Sequence, residues 1–310
     1  MAKSRTLGIE TLAIHAGQEP DPTHAAVIQP IVLSTTFAQP EPGQPKQFEY
    51  SRSGNPTRQA LEKCLATLEN GRFAFAFASG SAATLTLLHS LTPGDEVVCG
   101  DDVYGGTFRL LEKVMAPMGV KTTFVDLHDL DRLQGELTDR TRIIWLETPT
   151  NPMLKLFDIH AVSHLSSNRP EIVVVVDNTF ASPVLQRPLD LGATVSMHST
   201  TKYINGHSDV VGGALVTNDA SLAERIGFLQ NAIGAVPSPM DCYLVLRGLK
   251  TLPIRMRQHV ASAQELACRL EQSRGVQRVH YPGLASHPDH ALALRQMSGP
   301  GGMLSLELEG

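Results

Sequence analysis

The run Ile172-Val173-Val174-Val175-Val176 constrains the fold more than any other stretch of this chain. Five apolar β-branched residues in succession leave no polar face, so a strand made of them must be covered on both sides. Strands of that kind belong to mostly parallel sheets with helices above and below. The rest of the chain repeats the theme. Residues 73–77, 96–99, 122–125, 142–147 and 210–216 read as strands. Residues 56–68, 82–91, 107–115 and 159–165 read as helices, and a long helical region runs from Asp241 to about Ser273. Alternation of the two predicts an α/β fold with a mostly parallel sheet covered by helices.

Both ends depart from this pattern. Pro20, Pro22, Pro30, Pro40, Pro42 and Pro45 exclude long regular elements near the N-terminus. Residues 1–58 are therefore expected to form an arm lying on a neighbouring subunit, and residues 59–252 the main domain. Residues 253–310 are expected to begin an α+β domain that is incomplete. The segment 303–309 alternates apolar and polar residues like a half-buried strand, which is expected to leave an unpaired edge where the chain stops.

Composition narrows the function. The 310 residues are 42% hydrophobic and 18% charged, with a formal net charge of -5, which argues against a nucleic-acid partner. No apolar stretch approaches the ~20 residues of a membrane span. The N-terminus has basic residues but no apolar core of a secretory signal. Cys64, Cys99, Cys242 and Cys268 are widely spaced and read as reduced thiols of a cytoplasmic protein. The twelve histidines show no metal-ligand spacing, and His207 reads as a loop-stabilising residue. Neither a phosphate-loop motif nor a zinc-protease motif occurs.

The chemistry-bearing residues lie around the valine strand. Asp177 ends it, and a charge there is costly unless paired. Lys202 follows, in Ser199-Thr200-Thr201-Lys202-Tyr203. An acid at a strand end and a lysine among hydroxyls suit pyridoxal 5'-phosphate (PLP). The lysine amine links to the cofactor aldehyde, and the carboxylate pairs with the pyridinium nitrogen. Such a pair returns about 4 kcal/mol at intermediate effective dielectric. A desolvated lysine in that setting is a better nucleophile than a solvated one. Ser79-Gly80-Ser81 joins a strand to a helix and suits a phosphate, although a plain turn fits it as well. Tyr104 lies in a loop where its ring can stack on a cofactor or simply cover the loop. Tyr50 and Arg52, two residues apart, point the same way if their segment is extended.

Together these residues resemble the Cys/Met-metabolism family of PLP enzymes, of fold type I. The motifs are Tyr50-Ser51-Arg52-Ser53-Gly54-Asn55-Pro56-Thr57, Asp102-Val103-Tyr104-Gly105-Gly106-Thr107, Glu147-Thr148-Pro149-Thr150-Asn151-Pro152, Val176-Asp177-Asn178-Thr179-Phe180 and Thr201-Lys202-Tyr203-Ile204-Asn205-Gly206-His207-Ser208-Asp209. The resemblance implies that Lys202 carries PLP and shuttles the proton, with Asp177 at the ring nitrogen and Tyr104 on the ring. It places Gly80, Ser81, Ser199 and Thr201 at the phosphate, and Asn151 and Thr179 beside the cofactor. Tyr50 and Arg52 would reach a neighbouring subunit's phosphate in a homotetramer. Glu49, Arg109, Tyr104 and Asn151 would face an amino-acid substrate.

The implied reaction is α,γ-elimination of cystathionine. Within the family, Glu49 and Pro237-Ser238-Pro239 resemble the γ-lyase branch. The γ-synthase, methionine γ-lyase and O-acetylhomoserine sulfhydrylase reactions stay open. So does a catalytically inactive chain that pairs with a longer subunit, because the family's carboxylate-binding arginine lies beyond Gly310.

Overall fold

A computed structural model describes residues 7–309; residues 1–6 and 310 lie outside it, and with them the basic N-terminal segment. In chain order the first elements are α1 (Ile9–His15), α2 (Pro56–Leu68), β1 (Phe73–Phe77), α3 (Gly80–Leu88) and β2 (Glu96–Gly100). There follow α4 (Gly105–Arg109), β3 (Lys121–Val125), α5 (Leu130–Glu136), β4 (Thr141–Glu147), α6 (Ile159–Leu165) and β5 (Val173–Asp177). Then come α7 (Ser182–Leu185), β6 (Val195–His198), β7 (Gly213–Thr217), α8 (Ala220–Ile233) and α9 (Pro239–Leu249). The last are α10 (Leu252–Glu271), β8 (Val276–His280), α11 (His290–Gln296) and β9 (Ser305–Leu308). They fall into two compact units, Met1–Thr86 with Ser199–Pro253, and Leu87–His198 with Ile254–Gly310.

The second unit holds five parallel strands in the order β6-β5-β4-β2-β3. β5 is buried on both faces, as a run of valines requires. Val174 and Val176 enter a core with Val98, Ile144, Leu146, Phe157, Ile159 and Val162. The register brings Glu147 opposite Asp177, so two acids end neighbouring parallel strands.

In the first unit β1 runs antiparallel to β7. α2 starts at Asn55, whose side-chain oxygen accepts the N–H groups of Thr57 (2.9 Å) and Arg58 (3.2 Å), with Pro56 as the first helical residue. It stops at Asn70, which takes the left-handed conformation at φ 56°.

Several expectations need correction. The first part of the chain is not irregular throughout, because α1 precedes the prolines. The strand expected over 210–216 begins only at Gly213. Gly212 is held by Thr201, whose Oγ1 accepts its N–H (3.0 Å), so the preceding residues serve a loop and not a ladder. The long helix breaks between Leu249 and Leu252. Pro253 lacks an N–H and fits only the first turn of a new helix. The segment 107–115 is α-helical to Arg109 and π-helical over Leu110–Met115. The strand expected near the C-terminus is present as β9, and it pairs antiparallel with β8 in a two-stranded sheet.

Within the second unit the C-terminal segment is tied to the parallel-sheet part by polar contacts. Asp289 accepts the Leu156 N–H (2.9 Å), and Gln296 accepts that of Ile159 (3.0 Å). His128 stands between Asp126 (2.7 Å) and Asp289 (3.0 Å). The hydrogen bond to Asp289 is the largest influence raising the ring's pKa, to about 9, while both acids are held below their ordinary value.

Because the folded histidine titrates above its unfolded value of about 6.5, its stabilisation is complete below that pH and fades as pH rises through 9. The acids contribute above their unfolded values and lose that contribution as pH falls through the depressed ones. The melting temperature is thus expected to decline by about 1–3 °C between pH 6.5 and 9.5, and His128→Ala to flatten that slope. A pH series of thermal melts of both proteins checks this.

Candidate active site

Asp177 lies at the carboxyl end of β5 and is buried. Thr179 donates both its N–H (3.1 Å) and its hydroxyl (2.5 Å) to Asp177 Oδ1. Burial raises the Asp177 pKa, and those two bonds and His198 oppose the rise. No lysine or arginine among the described residues forms an ion pair with it. A buried carboxylate with only neutral donors on one oxygen fits a cationic ring nitrogen.

Glu147, at the end of β4, completes this acidic edge. Its Oε2 accepts the N–H of Tyr104 (2.8 Å) and its Oε1 that of Asn151 (2.9 Å). Burial, and then Asp177, push its pKa well up. Asp102 accepts the hydroxyl of Thr150 (2.5 Å) and the Met153 N–H (3.1 Å), which closes the loop behind Asn151. Tyr104 heads α4 with its ring half exposed, lying over Gly106. A Cβ at Gly106 would sit 2.2 Å from Tyr104 Cε1, so glycine there sets where the ring lies. Arg109 is exposed at the last residue of α4.

The remaining residues belong to the first unit. Ser79 caps α3, its Oγ accepting the Ala82 N–H (3.0 Å). A Cβ on Gly80 would meet Ser199 Cβ at 3.0 Å, so the Gly80-Ser81 turn and Ser199 form one cradle at the start of a helix. Backbone N–H groups and hydroxyls at a helix start suit a phosphate.

The Thr201 hydroxyl also donates to the Gly212 carbonyl (3.2 Å). Lys202 sits in a loop closed on itself, its N–H donating to Ser199 (3.2 Å) and its carbonyl accepting from Gly206 (2.8 Å). Its side chain is exposed, where desolvation was expected. The neighbouring Tyr203 phenol is pushed up to about 12 by burial. His207 donates from Nδ1 to the Asn205 carbonyl (2.6 Å) and so stabilises the loop.

Tyr50 and Arg52 come together, but through a turn and not an extended segment. The N–H groups of Ser53 and Gly54 both donate to the Tyr50 carbonyl (3.0 Å). The guanidinium lies 5.6 Å from the centre of the Tyr50 ring and donates to the Asn231 carbonyl (2.9 Å). Glu49 is exposed; its carbonyl accepts the Phe37 N–H (3.0 Å) and its carboxylate receives a 3.5 Å contact from Gln39.

Sequence reasoning gave no role to Glu147, Asp102 or His198. The parallel register of β4 with β5 was the missing signal for Glu147. Cys64, Cys99 and Cys242 are buried, and burial raises all three thiols, Cys64 to about 12. Among the described residues no group of three His, Cys, Asp or Glu is placed to hold a metal ion, and no helix is long and apolar enough to cross a membrane.

The fold and these residues define an α/β enzyme whose acids end parallel strands and whose phosphate-type cradle precedes a helix. The chain matches the model of the Cys/Met metabolism PLP-dependent enzymes over residues 10–310, and it belongs to that family. It is 53% identical over 301 residues to a cystathionine gamma-lyase of Macaca fascicularis, covering 97% of this chain and 74% of that protein. A cystathionine gamma-synthase of Mycobacterium leprae is 56% identical over 303 residues, covering 97% and 78%. The crystal structure of a cystathionine gamma-lyase from Lactobacillus plantarum complexed with L-serine superposes with a TM-score of 0.95 at 46% identity, covering 98% of this chain and 79% of that one. This is therefore a PLP-dependent trans-sulfuration enzyme of the carbon–sulfur lyase class. The relatives do not favour the inactive-partner alternative.

Proposed function

We propose that the chain catalyses α,γ-elimination of cystathionine to cysteine, 2-oxobutanoate and ammonia. Bound PLP supplies an electron sink for charge released at the substrate's α-carbon. In this reading Lys202 would hold the cofactor, and its amine would take the proton from the substrate's Cα. Asp177 would set its carboxylate at the ring nitrogen and favour that nitrogen's protonated form. Gly80, Ser81, Ser199 and Thr201 bind the phosphate, with Thr179 fixing Asp177. Tyr104 covers the ring and handles the proton of the departing thiol. Asn151 and Arg109 face the substrate.

Tyr50 and Arg52, already stacked, are proposed to serve the site of a neighbouring copy in a homotetramer, with residues 1–58 as the arm that carries them. Residues 59–252 are proposed as the cofactor-binding domain and residues 253–310 as the start of the C-terminal domain. The compartment proposed is the cytoplasm.

The observation that supports the lyase over its rivals is Glu49. Its carboxylate is exposed beside Tyr50 and held only by the long Gln39 contact, which suits the distal amino group of cystathionine. The identity to a gamma-synthase of 56% supports a second reading, γ-replacement on an activated homoserine. Parallel assays on the PLP-loaded protein separate the two. Release of 2-oxobutanoate from cystathionine is the expected outcome. Replacement on the activated homoserine with no elimination from cystathionine would overturn the lyase reading.

A further inference from the structure

We propose that Glu147 is a positioning residue of the reaction, holding the Tyr104 and Asn151 loops in one register through its two carboxylate oxygens. This rests on the roles given to Tyr104 and Asn151 above. Each oxygen of Glu147 takes one backbone N–H, Tyr104 on Oε2 and Asn151 on Oε1. The two loops follow different strands, β2 and β4, so one side chain ties together two segments 47 residues apart in sequence.

Asn151 is only four residues beyond Glu147, and the Tyr104 N–H begins α4. The Glu147 backbone is fixed by the β4–β5 ladder, where it is the register partner of Asp177. A buried acid facing another acid is costly, and ordinary packing would favour a neutral residue at this position. What only a carboxylate offers here is acceptors on both branches. An amide has one acceptor and one NH2 group, and the NH2 would face a backbone N–H.

Glu147→Gln is isosteric and should release one of the two loops. Three measurements on the PLP-loaded full chain test this. Hydrogen exchange by mass spectrometry is expected to quicken in peptides covering Tyr104 or Asn151, while peptides of β5 stay protected. A small displacement of a positioned group costs about 10- to 100-fold in kcat, and KM for cystathionine should stay within about threefold. In a Tyr104→Phe background the further loss from Glu147→Gln should shrink to less than half of its logarithm in the parent, because the group it positions has gone.

Glu147→Asp keeps both acceptors on a shorter stem. It is expected to recover part of the kcat and to serve if the glutamine variant folds poorly. Unchanged exchange at both loops, or losses that simply multiply in the Tyr104→Phe background, would overturn the proposal. A Tyr104→Phe protein with undiminished kcat would instead overturn the role given to the phenol, and exchange at the two loop amides would then decide for or against Glu147 by itself.

Discussion

Lys202→Ala is expected to lower turnover by about 1,000-fold or more, because one substitution removes both the covalent attachment of PLP and the proton carrier. The same protein should lose the visible absorption band of the bound cofactor that borohydride abolishes in the parent. Its thermal stability without cofactor should stay close to that of the parent. The Lys202 side chain is exposed, and its loop is closed by backbone bonds that alanine leaves in place, from Lys202 to Ser199, from Asn205 to Thr200 and from Gly206 to Lys202. A large loss of activity without a loss of fold separates a chemical role from a structural one. An alanine variant that still binds PLP as a borohydride-reducible adduct would move the attachment to another lysine.

Asp177→Asn is the second large effect. Removing one preorganised charge from a buried site costs about 100- to 1,000-fold in kcat. Asparagine keeps an acceptor for the Thr179 N–H and hydroxyl, so the loop after β5 should hold. Stability should respond in the opposite direction from activity. Burial raises the carboxyl pKa of Asp177 in the folded protein, so ionisation at neutral pH opposes folding. Neutralising it is therefore expected to raise the melting temperature of the cofactor-free protein, or leave it unchanged, while PLP binds less tightly. Loss of stability in both states would assign Asp177 to the scaffold. The conservative Asp177→Glu should retain charge but misplace it, and fall between the parent and asparagine in kcat.

The parts of this molecule that were readable in the sequence are those where a local pattern has one physical solution. Five β-branched residues ending in an acid allow little except a doubly covered strand, and β5 is that strand. Asn55-Pro56 and Asn70-Gly71 mark both ends of α2 through a side-chain cap and a left-handed residue. What escaped depends on contacts distant in sequence. β6 is only four residues long, Val195–His198, and all four are buried, so the apolar–polar alternation of its sequence does not mark a solvent face. The late start of β7 is set by the Thr201 hydroxyl, eleven residues before Gly212. α8 buries Ala223, Ile226 and Leu229 on one face and runs from an Asp219 cap to left-handed Gly234.

The candidate site divides in the same way. Lys202, Asp177 and the Gly80 turn lie in short motifs and were legible as residue types in order. The pairing of Tyr50 with Arg52 was expected for the wrong reason, since a turn and not strand alternation brings them together. Glu147 opened one of the family motifs but had no role assigned to it. Its significance comes from the register that sets it beside Asp177 and from two backbone donors on different loops.

The most direct test of the central claim is chemical trapping of the cofactor. The PLP-treated 310-residue protein is reduced with borohydride, digested, and its peptides are weighed and sequenced by mass spectrometry. A phosphopyridoxyl group on the peptide containing Lys202, and on no other, is the expected result. A group on a different lysine, or no adduct on a protein that remains folded, would contradict the site described.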